Sequence, residues 1–348
     1  RLRLPQTMVV RVPSLALRSA AVPAAAPYLN AYPLPNGPSV SPFAAQFTGT
    51  FSNQATLDAS SIRVDHALSS NITLFGRFNY APSSGVSRGG SLNWFTSTDL
   101  DTVTATAGTN MRLSRVVLSL RGNYSFQEGS LHTALDSFGG AMPPAANLLL
   151  PAPLSVTSSI GRISSPETSS FSIGSVAENR QRQINLVGDV SVDVVTHQLK
   201  LGFDYRHLLL IRSPSVADIQ YTISSMQNFA ATGVADRVSA NALRPGKLSF
   251  HALSLYGQDT WKLGQRLALT FGLRWEFNPA PDGEDGTVLA AWTNLENPAA
   301  TALAPPGTPL WKNRYDNFAP RVGIAYRATS KGDLVIRGGW GLFYDAAM

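Results

Sequence analysis

"LALTFGLRWEF", from Leu267 to Phe277, alternates strictly between two kinds of side chain. Leucine and aromatic residues occupy the odd positions, and arginine, glutamate, threonine and small residues occupy the even ones. Because successive side chains of a strand point to opposite faces, the segment predicts a strand with one apolar and one polar face. In a soluble sandwich the apolar face would be the core. In an outer-membrane barrel it would meet lipid, and the polar face would line a wet lumen.

The composition favours a surface that does not face water. Charged residues make up 14% of the 348 residues, whereas a typical soluble domain has about 25%. No uninterrupted apolar run of about 18 residues occurs, so no transmembrane helix is predicted. The chain has no cysteine, which excludes disulfides, thiol catalysis and cysteine-ligated metals.

The net charge is +6 and the sequence pI is near 9.7, which raises the question of nucleic-acid binding. The arginines are spread singly along the chain rather than massed in one patch, so we predict no nucleic-acid partner. The sequence begins at Arg1 without a signal peptide and stops directly after a strand-like run. We interpret it as a fragment of a longer precursor.

The same alternation recurs in pairs and predicts five antiparallel hairpins, or about ten strands. The pairs are 62–68 with 72–80, 103–107 with 116–126, 184–194 with 199–209, 253–261 with 267–277, and 318–326 with 334–344. The turns within the pairs are short, including "VTHQ", "KLGQR" and "TSKGD". The links between the pairs are long and rich in Pro, Gly, Ser and Ala; they cover 81–101, 127–182, 211–249 and 278–317. Short turns at one end and long loops at the other are typical of outer-membrane barrels.

Aromatic residues on the apolar parity lie towards strand ends, where barrels carry their interfacial girdles. These are Tyr80, Tyr124, Phe126, Trp261, Trp275, Phe277 and Tyr344. We therefore predict an all-β, antiparallel transmembrane β-barrel segment in the cell outer membrane, with its apolar face in lipid. Residues 1–54 are predicted to be an irregular Pro/Ala-rich segment with a remnant of one earlier strand, and residues 55–348 a partial barrel domain.

Three stretches resemble the barrel segments of TonB-dependent outer-membrane receptors. They are "SSIRVDHALSSNITLFGRFNY", "SLYGQDTWKLGQRLALTFGLRWEFNPAP" and "NFAPRVGIAYRATSKGDLVIRGGWGLFYD". The likeness is greatest to the Oar-like branch, covers about Tyr28 to Asp345, and includes "AYPLPNG" before the first predicted strand.

The resemblance implies a barrel of 22 strands filled by an N-terminal plug, which imports a scarce solute with energy from the TonB complex. The solute would be a small molecule, peptide or oligosaccharide. The chain departs from that pattern, because it shows no plug, no TonB-binding segment and no regulatory-like domain. About ten strands cannot close a 22-stranded barrel. We therefore expect an open sheet.

The polar parity supplies the candidate functional residues. They are Arg63, Asp65, Arg77, Arg121, Asp189, Asp193, Asp204, Arg206, Arg274, Glu276, Arg321 and Arg337. These side chains either line a solute path or hydrogen-bond to a plug, or they pair with one another to stiffen the wall. The sequence does not decide between the two, so the substrate-binding residues stay unassigned.

Other motifs point to ordinary structure. "GVSRG" (residues 85–89) matches the nucleophile-elbow pattern but precedes no helix, so we interpret it as a flexible loop. The histidines (His66, His132, His197, His207 and His251) show no metal-site spacing and are interpreted as interfacial or surface residues. "PDGEDG" (residues 281–286) lacks the spacing of a calcium loop and is interpreted as a solvated loop tip. We predict no catalytic, cofactor-binding or metal-binding residue and no enzymatic activity.

Three functions compete. The leading one is part of a receptor barrel for energised uptake. The second is a structural or adhesive outer-membrane barrel without transport. The third is a soluble carbohydrate-binding or hydrolytic β-protein, in which the apolar strand faces would converge in a dry core.

Overall fold

The computed structural model describes residues 2–329 and 333–344, and strands dominate them. The strands are β1 (Leu2–Pro13), β2 (Ala44–Leu57), β3 (Ser60–Ser69), β4 (Ile72–Tyr80), β5 (Ser83–Gly89), β6 (Trp94–Leu113), β7 (Val116–Leu135), β8 (Ser159–Ser164), β9 (Phe171–Val194), β10 (His197–Pro214), β11 (Ala217–Thr222), β12 (Arg237–Ala242), β13 (Gly246–Leu263), β14 (Leu267–Phe277), β15 (Asp282–Gly283), β16 (Trp292–Thr293), β17 (Ala302–Leu303), β18 (Phe318–Arg327) and β19 (Val335–Gly341). The helices are α1 (Leu15–Ser19), α2 (Ala26–Leu29) and α3 (Met226–Thr232), and none of the helices in the described ranges has the length and apolarity to span a bilayer.

Ten of these strands form one antiparallel meander, which we call the wall. In order across the sheet they are β3, β4, β6, β7, β9, β10, β13, β14, β18 and β19. They form the five hairpins that the alternation predicted, so the all-β antiparallel fold is confirmed. The fifth turn includes residues 330–332, which lie outside the described residues.

The register of the wall keeps the two parities apart. Phe203 lies opposite Gly188 on one side and Leu255 on the other. Leu255 in turn lies opposite Trp275, which lies opposite Phe318. A slip of one residue would reverse the face of every side chain in a strand. We call the apolar parity of the wall its outer face and the polar parity its inner face.

Several wall strands are longer than the sequence predicted. β6 and β7 each have 20 residues and β9 has 24, whereas a tilted strand needs about ten to cross a membrane. The extra residues lie in segments that we interpreted as loops, for example Gln127–Leu135. Their alternation is weak because both faces of a strand beyond the membrane meet water or loop residues.

The wall is open in the described residues. The first wall strand, β3, pairs within the wall only with β4, and the last, β19, pairs only with β18. All ten residues of β3 are exposed. The prediction of an open sheet is therefore confirmed.

The N-terminal segment is more regular than we predicted. Leu2–Pro13 pairs with Ala44–Ala55 over twelve residue pairs. The first of these is the earlier strand that we predicted, whereas the interpretation of residues 44–54 as irregular is wrong. The signal was weak because Pro5 and Pro13 interrupt the first strand and "FTGTF" in the second carries small residues. The end of β2 pairs antiparallel with β5, and β5 pairs with β6, so this hairpin is joined to the wall. The division into domains at residues 54 and 55 remains a prediction.

A conventional hydrophobic core is formed by the N-terminal segment that precedes β3, by the segments between later wall strands and by the ends of the strands that they join. We call it the loop core. Its buried members are Val12, Leu17, Ala25, Leu29, Ala31, Tyr32, Phe47, Phe51, Leu92, Leu149, Ile163, Phe171, Ile173, Ile223, Met226, Phe229 and Ala230. The ring of Tyr32 meets that of Phe171 edge-on, with centroids 5.2 Å apart. Segments more than 100 residues apart in sequence therefore share one packed cluster.

The partly buried guanidinium of Arg18, beside the loop core, is satisfied by backbone. The Arg18 guanidinium donates to the carbonyl oxygens of Pro13, Tyr32 and Pro33 at 3.2, 3.0 and 2.6 Å. Burial lowers the pKa of Arg18 to about 10 and raises the pKa of the Tyr32 phenol to about 12. These contacts join β1, α1 and the segment after α2, which satisfies groups that would otherwise be costly to bury.

Candidate functional site

The outer face of the wall is exposed rather than packed. On the apolar parity that we predicted to meet lipid, five side chains are 41–57% exposed and Leu269 is half-buried; the five are Phe271, Leu273, Leu334, Ile336 and Leu342. The loop core contains no residue of Leu267–Phe277. The soluble-sandwich alternative required these side chains to converge in a dry core, so it is wrong.

The inner face carries a continuous row of polar contacts across β9, β10, β13 and β14. The Asn185 amide donates to Asp204 Oδ1 at 2.7 Å. The Arg274 guanidinium donates to Ser254 Oγ at 2.8 Å and to Glu276 Oε1 at 2.6 Å, and it lies 3.9 Å from Asp204 Oδ2. We call these five residues the inner-face row.

Register explains why these side chains meet. Asp204 lies directly opposite Ser254, and Ser254 lies directly opposite Glu276, so the three occupy one line across the sheet. Arg274 lies two residues from Glu276 on the same face of the strand and places its charge between the two carboxylates. Its side chain is 27% exposed and that of Glu276 is 15% exposed, so the ion pair is only partly solvated.

Elsewhere on the inner face the charges are only partly paired. Arg63 forms an ion pair with Asp65 at 2.7 Å, and Lys200 one with Asp189 at 3.4 Å. In the described part of the chain, the other inner-face arginines at 77, 121, 206, 321 and 337 lie within 4.0 Å of no carboxylate. Within the described residues, the inner face therefore contains a salt-bridged row, as a stiffened wall would require. It also contains arginines without a carboxylate partner, which could bind a solute or a plug.

The row was only partly foreseen. Asp204, Arg274 and Glu276 were candidates, whereas Asn185 and Ser254 were missed because the candidates were chosen among charged residues. For Ser254, parity in β13 was the available signal, since Ser254 and Tyr256 share the inner face with Gln258. The Arg274 guanidinium also lies over the Tyr256 ring, 5.9 Å from its centroid.

The other motifs take ordinary places, with one correction. "GVSRG" forms most of β5, so its interpretation as a loop is wrong; Ser87 is exposed on a strand with no strand-to-helix turn. In "PDGEDG", Glu284 and Asp285 bind the Lys247 ammonium at 3.0 and 2.9 Å. Within the described ranges, no three His, Asp or Glu side chains are grouped as metal ligands.

The histidines are distributed unevenly. His66 and His132 are on β3 and β7, and His197 Nδ1 lies 2.7 Å from Asp259 Oδ2 near the turn after β13. His207 and His251 lie directly opposite each other on β10 and β13. Their sequence spacing gave no hint of this pairing, because it depends on the register between two strands.

Comparison with known families agrees with this architecture. Residues 10–348 match the family model described as outer membrane beta barrel domain. The chain belongs to the outer membrane beta-barrel domain family, and it is a protein of the outer membrane. A search of curated protein sequences gave no significant match.

Solved structures that align with this chain include outer-membrane transporters and receptors. The outer membrane transporter YddB from Escherichia coli aligns with a TM-score of 0.50 and 12% identity, over 84% of this chain and 32% of that one. The Escherichia coli ferric-catecholate import receptor Fiu aligns with a TM-score of 0.45 and 12% identity, over 80% and 42%. The alcaligin receptor FauA from Bordetella pertussis aligns with a TM-score of 0.42 and 10% identity, over 94% and 41%. The chain therefore spans less than half the length of these proteins.

Proposed function

We propose that this chain is part of a TonB-dependent receptor barrel of the Oar-like branch, which mediates energised uptake of a scarce solute across the outer membrane. The inner-face row carries the proposal. It places two carboxylates, a guanidinium, a hydroxyl and an amide on the face that would line the lumen. A polar surface of this kind can bind a plug domain or guide a polar solute.

Two further observations support the proposal. The unpaired inner-face arginines leave positive charge beside the row, which would attract anionic groups of a solute or plug. The fold resembles that of the outer membrane transporter YddB, although at an identity that speaks for the fold alone.

The chain carries out no catalysis in this proposal. Its partners are outer-membrane lipid, the plug, the TonB complex and a small-molecule, peptide or oligosaccharide solute.

The alternative is a structural or adhesive barrel without transport. The salt-bridged part of the inner face favours it, because ion pairs of this kind also stiffen a wall. Under the alternative, the charge of Arg274 would matter for stability and not for the movement of any solute.

Uptake by the producing cells separates the two functions. Solutes removed from the growth medium would be measured by mass spectrometry in wild-type cells, a deletion strain and strains with Arg274→Glu or Arg244→Glu. Arg244 is exposed in the loop before β13 and serves as the matched control for charge. We expect the removal of at least one solute to be abolished by deletion or a protonophore and reduced by Arg274→Glu only. If deletion leaves the removal of every solute unchanged, the transport proposal is wrong.

A further inference from the structure

His207 and His251 form a stacked cross-strand pair on the outer face of β10 and β13. Their rings are nearly parallel, with an interplanar angle of 6° and centroids 4.6 Å apart. Residues directly opposite on antiparallel strands have Cβ atoms about 5 Å apart, close enough for two side chains to bind one ion.

The ring nitrogens of the pair converge. His207 Nε2 lies 2.9 Å from Ser249 Oγ, and His251 Nε2 lies 3.4 Å from the same oxygen. Two imidazole nitrogens and a hydroxyl therefore face one small volume. Imidazole nitrogen is a preferred ligand of Zn²⁺, Cu²⁺ and Ni²⁺, with metal–nitrogen distances of about 2.0–2.1 Å for zinc. Small rotations of the two side chains would bring both nitrogens to that distance from one ion.

The far nitrogen of His251 is also held. Tyr205 Oη lies 3.1 Å from His251 Nδ1, and the two rings are stacked at an interplanar angle of 26°. A histidine that binds a metal through one nitrogen usually donates the other N–H to an oxygen, which fixes the tautomer and the ring. Tyr205 Oη can accept a hydrogen bond from that N–H, so its position suits a residue that orients a metal ligand.

The pair lies where an ion from the medium can reach it. His207 is the eleventh residue of β10, counted from the short turn at Val195–Thr196. The apolar band of an outer-membrane barrel takes about ten residues of a tilted strand. His207 and His251 therefore lie at the loop-side border of that band, and His251 is exposed.

We propose that His207 and His251 bind a divalent transition-metal ion, with Ser249 and water completing its coordination and Tyr205 orienting His251. Cu²⁺ is the preferred ion, because affinity for nitrogen ligands rises to copper in the first-row series. Two protein nitrogens hold the ion at the surface reversibly. The site is independent of the proposed transport function and lies on the opposite face of the wall.

Titration with Cu²⁺ tests the site in the full-length protein, purified from outer membranes in detergent without a polyhistidine tag. We expect one ion to bind with an electron paramagnetic resonance spectrum showing two coordinating nitrogens. His207→Gln and His251→Gln should each weaken binding at least tenfold, and Tyr205→Phe should weaken it about tenfold while keeping two nitrogens. His66→Gln, which alters an exposed histidine on β3, should leave binding unchanged.

Circular dichroism and heat-dependent gel migration would confirm that each variant retains its fold. Binding that survives in folded His207→Gln with an unchanged spectrum would overturn the proposal. So would an equal loss of affinity in His66→Gln, since that would show general binding by surface histidines.

Discussion

The wall and the loop core bury apolar side chains in opposite ways. In the wall, Phe271 and Leu273 leave 44% and 49% of their surface exposed, and among the described residues neither belongs to the buried cluster. In the loop core, Tyr32 and Phe171 are each 1% exposed and contact each other. The wall leaves its apolar surface for lipid, whereas the loops, which meet water, must bury theirs against one another. Apolar side chains of this chain are therefore exposed where the surroundings are lipid and buried where the surroundings are water.

The largest difference should come from removing a phenylalanine in each region. Phe171→Ala should destabilise the loop core by about 3–5 kcal/mol, because it loses transfer energy and leaves a cavity. Phe271→Ala should cost clearly less, since lipid fills the space. Hydrogen exchange of the loop segments and unfolding in lipid vesicles would measure the two effects. Equal losses would show that the outer face packs against protein after all.

Charge placed on each face of one strand should have the next largest effect. Phe271→Arg puts a guanidinium on the outer face and should cost about 2–4 kcal/mol at mid-bilayer. Thr270→Arg puts the same group on the inner face, where water and carboxylates are available, and should cost little. Insertion into vesicles, followed by heat-dependent gel migration, would measure both. The assignment of faces fails if the two variants insert equally well.

Alkaline pH should weaken the contribution of Tyr32 to the loop core and spare the wall. Burial raises the pKa of Tyr32 to about 12, above the value near 10 of an exposed phenol. Between these values the unfolded chain loses the Tyr32 proton that the folded chain keeps, so the contribution of Tyr32 to stability falls as pH rises, by up to about 2.7 kcal/mol. The lowered pKa of Arg18 acts in the opposite direction over the same range. Protease resistance of the loops from pH 9 to 12 should therefore fall more, or rise less, in the wild type than in Tyr32→Phe, and the difference measures the Tyr32 contribution.

Acid should have a smaller effect on stability, through Asp136 in the segment that follows β7. Burial acts to raise the pKa of Asp136, but hydrogen bonds from Arg88 and from the Phe138 N–H outweigh it and lower that pKa. The resulting stability is present above about pH 4, the pKa of an unfolded aspartate, and is lost as pH falls below it. Because the pair is partly exposed, we expect less than about 1 kcal/mol. Asp136→Asn should flatten the loss in proteolysis assays between pH 5 and 2.

Sequence predicted the wall well because lipid imposes a strict period of two. The segment around Leu267–Phe277 shows this period without interruption, so its strand, its faces and its hairpin could all be foreseen. The loop core could not, because Leu29, Phe171 and Phe229 come from segments without periodicity and meet only in three dimensions. The inner-face row was predictable only in part. The alternation identified Asp204 and Arg274 as inner-face residues, but only the register between the strands showed that Ser254 lies beside them.

Not every loop shares the loop core. The segment between β14 and β18 has no residue in it, and Val288, Trp292 and Leu295 remain 56–71% exposed. Loops that interlock constrain one another's sequences, because a change in one must fit the side chains of several others. The 278–317 segment is free of that constraint at the cell surface. We expect related chains to differ most there in length and sequence.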